Sequence, residues 1–186
     1  MEITLQGNSL IKRQHIPDAT LAKGLGWGLI GGLAGTMVMD LVLMGVLPVA
    51  GLPALTCFSI VGSTVARFFS ILGIEMTGGI PLGVLTHYLI GPLAGVIFGA
   101  VVTQFNVLRL DTMKKSIILA ILYVQILSQP ILATAPILLK ITATKTLQWY
   151  GGSFVMHSVL GLVLGVIMSY GLQVATTSNH RWFRVI

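Results

Sequence analysis

PALTCFSIVGSTVARFFSILGIE, residues 53–75, decides how many times this chain crosses a membrane. Its polar residues Thr56, Ser59, Ser63, Arg67 and Ser70 recur at spacings of three, four, four and three. A helix over 53–74 therefore carries one polar stripe opposite Leu55, Phe58, Val65, Phe69 and Leu72. Such a helix either lies in the membrane interface or spans with its stripe, Arg67 included, turned toward protein. That a membrane is involved follows from composition. Of 186 residues, 55% are hydrophobic and 9% charged, against about a quarter charged in soluble proteins; the mean hydropathy is +0.94. The length allows four or five spans of roughly 20 residues and leaves no room for a separate water-soluble catalytic domain.

Four other runs are long and apolar enough to cross: 25–47, 82–105, 117–139 and 153–174. Charge separates four spans from five, because cytoplasmic loops collect Lys and Arg. With four spans the inner segments hold Lys12, Arg13, Lys23, Arg109, Lys114, Lys115, Arg181 and Arg184, and the outer ones Arg67, Lys140 and Lys145, a ratio of eight to three. With five spans Arg67 falls within the bilayer and the remainder divides five to five, which is no bias. The expected fold is thus an all-α integral membrane bundle, with four transmembrane helices and one amphipathic interfacial helix between the first and second spans. Residues 1–24 form a cytoplasmic N-terminal segment, 25–174 a single membrane domain and 175–186 a cytoplasmic tail. The protein is expected to be a multi-pass protein of the cell membrane with both termini inside. Trp27 near the inner end of the first span, and Trp149 with Tyr150 at the outer end of the last, fall where interfacial aromatics belong. The first apolar run is read as a retained helix rather than a cleaved leader, and Asp18 or Thr20 as the cap of a short entry helix. The single Cys57 excludes an internal disulfide.

THYLIGPLAGVIFGAV, 86–101, and MHSVLGLVLGVIMSYG, 156–171, share a pattern. Aligning His87 with His157 superposes Gly91 on Gly161 and Gly95 on Gly165, and IGGLAG at 30–35 matches IGPLAG at 90–95 in all but one position. Small residues four apart let helix backbones approach closely, so Gly31/Gly35, Gly91/Gly95 and Gly161/Gly165 predict three packing grooves. A four-helix bundle is expected to fill only some of these itself.

The chain resembles an uncharacterised group of small four-span membrane proteins, a domain of unknown function, through GLAGTMVMDLVL, GLPALTCFSIVGS, THYLIGPLAGVIFGAV, a proline-bearing third span and HSVLGLVLGVIMSYG. The resemblance implies the four-span topology and the histidines near the helix starts; it implies no activity.

In the four-span topology the second and fourth spans run parallel, with His87 and His157 each roughly 7 Å below the outer surface, while Asp40 on the antiparallel first span lies about 10 to 12 Å below it. An acid there costs about 2.5 to 3.5 kcal/mol on insertion scales and calls for a partner or a cavity. Three readings follow. The first is a structural hydrogen bond that welds the bundle, and the second a proton or ion relay that uses the imidazole titration. The third is a metal site of Asp40, His87 and His157 suited to zinc or copper, with Met37 and Met44 as soft ligands on the same face. No cofactor is otherwise expected. In the third span, VQILSQPILATAP at 124–136, Pro130 and Pro136 each remove a backbone donor. Gln125, Ser128 and Gln129 are expected to satisfy the freed carbonyls of a kinked helix.

No catalytic triad, phosphate loop, dinucleotide fingerprint or paired carboxylates are present, so the chain is not expected to be an enzyme. No basic stripe interleaved with aromatics points to nucleic acid. The sequence favours a non-catalytic membrane subunit that packs its grooves against larger subunits of a membrane complex, such as an oxidoreductase or another energy-converting one. The alternative is a small carrier or channel, for ions, protons or a small molecule, built on Asp40, His87 and His157.

Overall fold

The structure, a computed structural model, describes residues 21–182, with side-chain surroundings for 21–172. Among the described residues it consists of helices joined by turns and short irregular connections, with no strand. The order is α1 (Leu21–Val49), α2 (Thr56–Ile71), α3 (Ile80–Gln104), a single 3-10 turn (Asn106–Leu108), α4 (Met113–Leu138) and α5 (Ala143–Trp182). Four segments are long and apolar enough to cross a membrane: Leu21–Val49, Ile80–Gln104, Met113–Leu138 and Ala143–Leu172. The shorter α2 lies between the first two. The expected cap at Asp18 or Thr20 and the ends of both terminal segments lie outside the described residues.

Span boundaries differ from expectation mainly in α5, which begins ten residues before 153 and whose backbone continues beyond 174. Gly151 and Gly152 do not interrupt it. The added turns are tied down by Trp149, whose indole N–H donates to the Leu132 carbonyl at 3.1 Å. That carbonyl is the one Pro136 deprives of its helical amide, because proline at position i removes the bond to i−4. A tryptophan on the next helix therefore repairs the ladder. The expected repair from within α4 is not what the structure has. Ser128 Oγ and Gln129 Nε2 both donate to the Gln125 carbonyl. The Gln125 amide reaches across to the Phe154 carbonyl and Ser158 Oγ at 2.7 and 2.9 Å. The helix runs unbroken through Pro130 and Pro136.

α1 is the central helix, with α3 against one side and α5 against another. Gly24, Gly28 and Gly32 meet Gly99, Gly95 and Gly91 backbone to backbone. Gly31 and Gly35, one residue round the helix, seat Leu164 and Leu160 of α5. The doubled glycine at 31–32 is where two contact faces join. On the far side of α5, Gly161 and Gly165 lie on Ile121 and Ile117 of α4, and Ser116 donates to the Gly165 carbonyl at 2.7 Å. All six glycines singled out in the sequence are thus buried against helices of the same chain. No groove among them is left for a partner.

α2 packs closely against the start of α3. Gly62 packs on the backbone of Gly79 and Gly83, and Gly83 on the carbonyl of Phe58. Its first turns run beside the start of α3, with the ring of Phe58, 4% exposed, tilted by 59° against the His87 ring at a centroid separation of 5.1 Å. The end that carries Arg67 and Phe68 is exposed. Of the predicted stripe, Thr56, Ser59, Ser63 and Ser70 are half-buried, with Thr56 donating to the Pro53 carbonyl and Ser70 to Glu75.

Candidate functional site

The comb on α3 is longer than the sequence reading used. Gly79, Gly83, His87, Gly91, Gly95 and Gly99 follow one another at steps of four. Four residues turn an α-helix by about 400°, so each step drifts roughly 40° round the axis. The early members therefore face α2 and the later ones α1. His87 stands at the crossover, where it can touch both. Its ring packs on Phe58 of α2, and its Nδ1 lies 2.9 Å from Oδ1 of Asp40 on α1.

Asp40 is 2% exposed. Its Oδ1 pairs with His87, and its Oδ2 is buried without a hydrogen-bond partner among the described residues. The pair engages Nδ1 of His87 and leaves Nε2 as the other ring position. His157 reaches the same state differently. Its Nδ1 is 2.7 Å from the Ser153 carbonyl one turn earlier in α5, and a carbonyl cannot donate, so Nδ1 carries the hydrogen. The pairings Gly31 with Leu164 and Gly35 with Leu160 extrapolate by equal steps to put His157 within about 3 Å of the depth of Asp40. The three residues share a level, and two of them are bonded.

They do not form a metal-ligand set. Among the described residues no group of three or more His, Cys, Asp or Glu side chains is arranged to hold an ion. The reason is local: His157 turns its Nδ1 back to its own helix rather than toward Asp40. Met37, expected as a soft ligand, is 48% exposed on the outer surface of α1.

Both histidines line a partly open cavity of about 520 Å³ to which all five helices contribute wall residues. Thr36, Ala94, Val124 and Leu160 form its floor; Leu47, Leu52, Leu139 and Lys145 belong to its opposite end. Below the floor α3 and α4 meet, where Tyr123 donates to the Ala94 carbonyl at 2.9 Å and packs its ring on Phe98. Above it Cys57, Ile60 and Val61 of α2 fill the gap between α3 and α4 as wall residues. The wall is mainly aliphatic. Burial pushes the Cys57 thiol up to about 12, with the negative charge of Asp40 adding to the effect. It is therefore a protonated, weakly reactive group at neutral pH.

The sequence reading found Asp40, His87 and His157 but not the cavity that two of them face. Cys57, Trp149 and Ser153 were the missed contributors. One signal for the α2 contact was available, the backward extension of the comb to Gly83 and Gly79. No known protein family, curated protein or solved structure matches the chain. The functional reading therefore rests on this geometry.

Proposed function

We propose that the protein is a small membrane-embedded carrier that binds a mainly apolar molecule between its helices, with His87 and His157 as the polar contacts and Asp40 as the residue that orients His87. The observation that carries this reading is the cavity of about 520 Å³ with both histidines in its wall. Its size falls within the roughly 300 to 1,000 Å³ of small-molecule sites, which are typically apolar with a few fixed polar groups. The alternative of a subunit in a larger complex drew on glycine grooves left over for a partner. Each is filled from within the chain, and the support passes to the cavity. Binding rather than turnover is proposed. We place both termini on the cytoplasmic side of the cell membrane, following the eight-to-three charge distribution; α2 and the Lys145 end of the cavity then face outward.

The test is retention of a small molecule by the purified protein. Native mass spectrometry from mild detergent is expected to give a single chain with one bound small molecule. Ser128→Phe, which fills the cavity from α4, is expected to abolish that adduct while the helical circular-dichroism signal is kept. Equal retention by the filled variant would contradict the proposal. A stoichiometric complex with other polypeptides would restore the subunit alternative.

A further inference from the structure

The kind of molecule the cavity accepts follows from which hydrogen-bonding positions its wall has left unused. Around the interior, Thr36 donates to the Gly32 carbonyl, Thr56 to Pro53, Thr86 to Leu82, Ser128 to Gln125 and Trp149 to Leu132, at 2.7 to 3.1 Å and with every acceptor a backbone carbonyl. Those hydrogens are committed. The histidines are the reverse case. Each uses Nδ1–H internally, on Asp40 or on the Ser153 carbonyl, and the Nε2 of neither has a hydrogen-bond partner among the described residues. In the neutral ring that nitrogen is a lone-pair acceptor.

The interior therefore offers two strong acceptors. Against them stand one uncommitted hydroxyl, that of Ser153, and the weakly donating thiol of Cys57. Gln148 and Lys145, which also donate, are exposed side chains away from the floor. An occupant that only accepts, such as a ketone, an ester or a carboxylate, would leave both imidazole nitrogens unpaired in an apolar enclosure. An unmet buried polar group is costly. A fully charged cation is disfavoured too, since the one acid nearby, Asp40, lies behind His87 and is not itself part of the wall.

We infer that the molecule held in the cavity is a lipophilic alcohol or phenol, its hydroxyl donated to Nε2 of His87 or His157. The hydroxyl oxygen remains free to accept from Ser153. This inference rests on the cavity-binding reading above and adds the chemical class of the ligand.

The test uses three probes of one carbon skeleton: farnesol, its methyl ether and the aldehyde farnesal. Each is measured by equilibrium dialysis against full-length protein in detergent, in mildly alkaline buffer, with Ser128→Phe as the blank for partition into micelles. Farnesol is expected to bind roughly three- to tenfold more tightly than either of the others, the range for one net hydrogen bond. His157→Phe is expected to shrink that ratio while the affinity for the ether stays the same, and His87→Phe to shrink it further if the variant folds. The wild-type ratio decides the matter without any variant. Equal binding of alcohol and ether, or tighter binding of the aldehyde, would overturn the alcohol assignment and leave the cavity reading standing. Absence of saturable binding by all three would overturn the cavity reading itself.

Discussion

The two halves of this bundle are built from the same helices and pack in opposite ways. In the half holding Gly24–Gly35, Gly91–Gly99 and Gly161–Gly165, glycine lets α1 touch α3 backbone to backbone and lets α4 and α5 seat closely. In the half that contains α2, glycines seat α2 on α3 alone, the residues that α1, α4 and α5 turn inward are mostly larger, and the helices surround a cavity instead. His87 stands at the boundary. The difference teaches that, in lipid, space inside a bundle is set by where small residues stop, because no hydrophobic drive closes the remainder.

The contrast is easiest to break in the tight half. Gly95→Leu drives a side chain into the backbone of Gly28 and Gly32. It is expected to cost upwards of about 3 kcal/mol and to prevent recovery of folded protein. Gly45→Leu, on α1 with open space where a side chain would go, is expected to be nearly silent. Thermal unfolding in detergent, followed by circular dichroism, compares the two. Similar losses for both would show that the α1–α3 contact is not the tight one.

At the boundary, Asp40→Leu removes the acceptor for His87 Nδ1 and is expected to destabilise by about 2 to 3 kcal/mol. Asp40→Asn keeps an acceptor oxygen and is expected to cost no more than about 1 to 2 kcal/mol. Equal penalties would mean that the carboxylate charge, rather than the hydrogen bond, holds His87.

The cavity half is expected to be more forgiving. Trp149→Phe leaves the Leu132 carbonyl without its substitute donor and is expected to cost about 1 kcal/mol, with faster amide exchange confined to the ends of α4 and α5 that meet there. Exchange that spreads to Gly161 and Gly165 would show the halves to be coupled.

Least disruptive is labelling of the native thiol. Cys57 is half-buried in the cavity wall and protonated, its pKa pushed up to about 12. Its reaction with maleimide is expected to be far slower than that of an exposed cysteine at Thr144, to quicken only as pH rises well above neutral, and to be slowed further by farnesol. Rapid reaction at neutral pH would show that α2 does not seal the cavity. For topology, Lys114→Cys is the suitable partner to Thr144→Cys, because Ser116 is fully buried and bonded to Gly165. Impermeant reagent is expected to reach position 144 from outside and position 114 only from within.

Much of the fold was legible in the sequence because lipid imposes simple rules. Length and hydropathy mark the four spans, and the eight-to-three charge distribution separates four from five. The shared depth of Asp40, His87 and His157 followed from the four-span topology together with the rise per residue. What was not legible depended on direction around each helix axis. The pair Gly31/Gly35 was visible, but its neighbour face Gly24/Gly28/Gly32 decides that α1 sits between two helices. The polar stripe of α2 was visible, but Gly62 against Gly83, which draws that helix inward, involves residues that carry no polarity signal. The Trp149 contact joins residues 17 apart in sequence across a turn, and no periodicity reports such a pairing. The cavity is a property of where all five helices fail to meet, which no single segment encodes.

The central claim is that the α2 half encloses a site for a small apolar molecule at the level of the two histidines. The most direct measurement is anomalous diffraction from crystals of the protein soaked with a bromine-tagged long-chain alcohol. The account predicts one dominant bromine peak within the cavity, with the hydroxyl end beside His87 and His157, and loss of that peak in Ser128→Phe. Bromine found only along the outer, lipid-facing surface of the helices would contradict it.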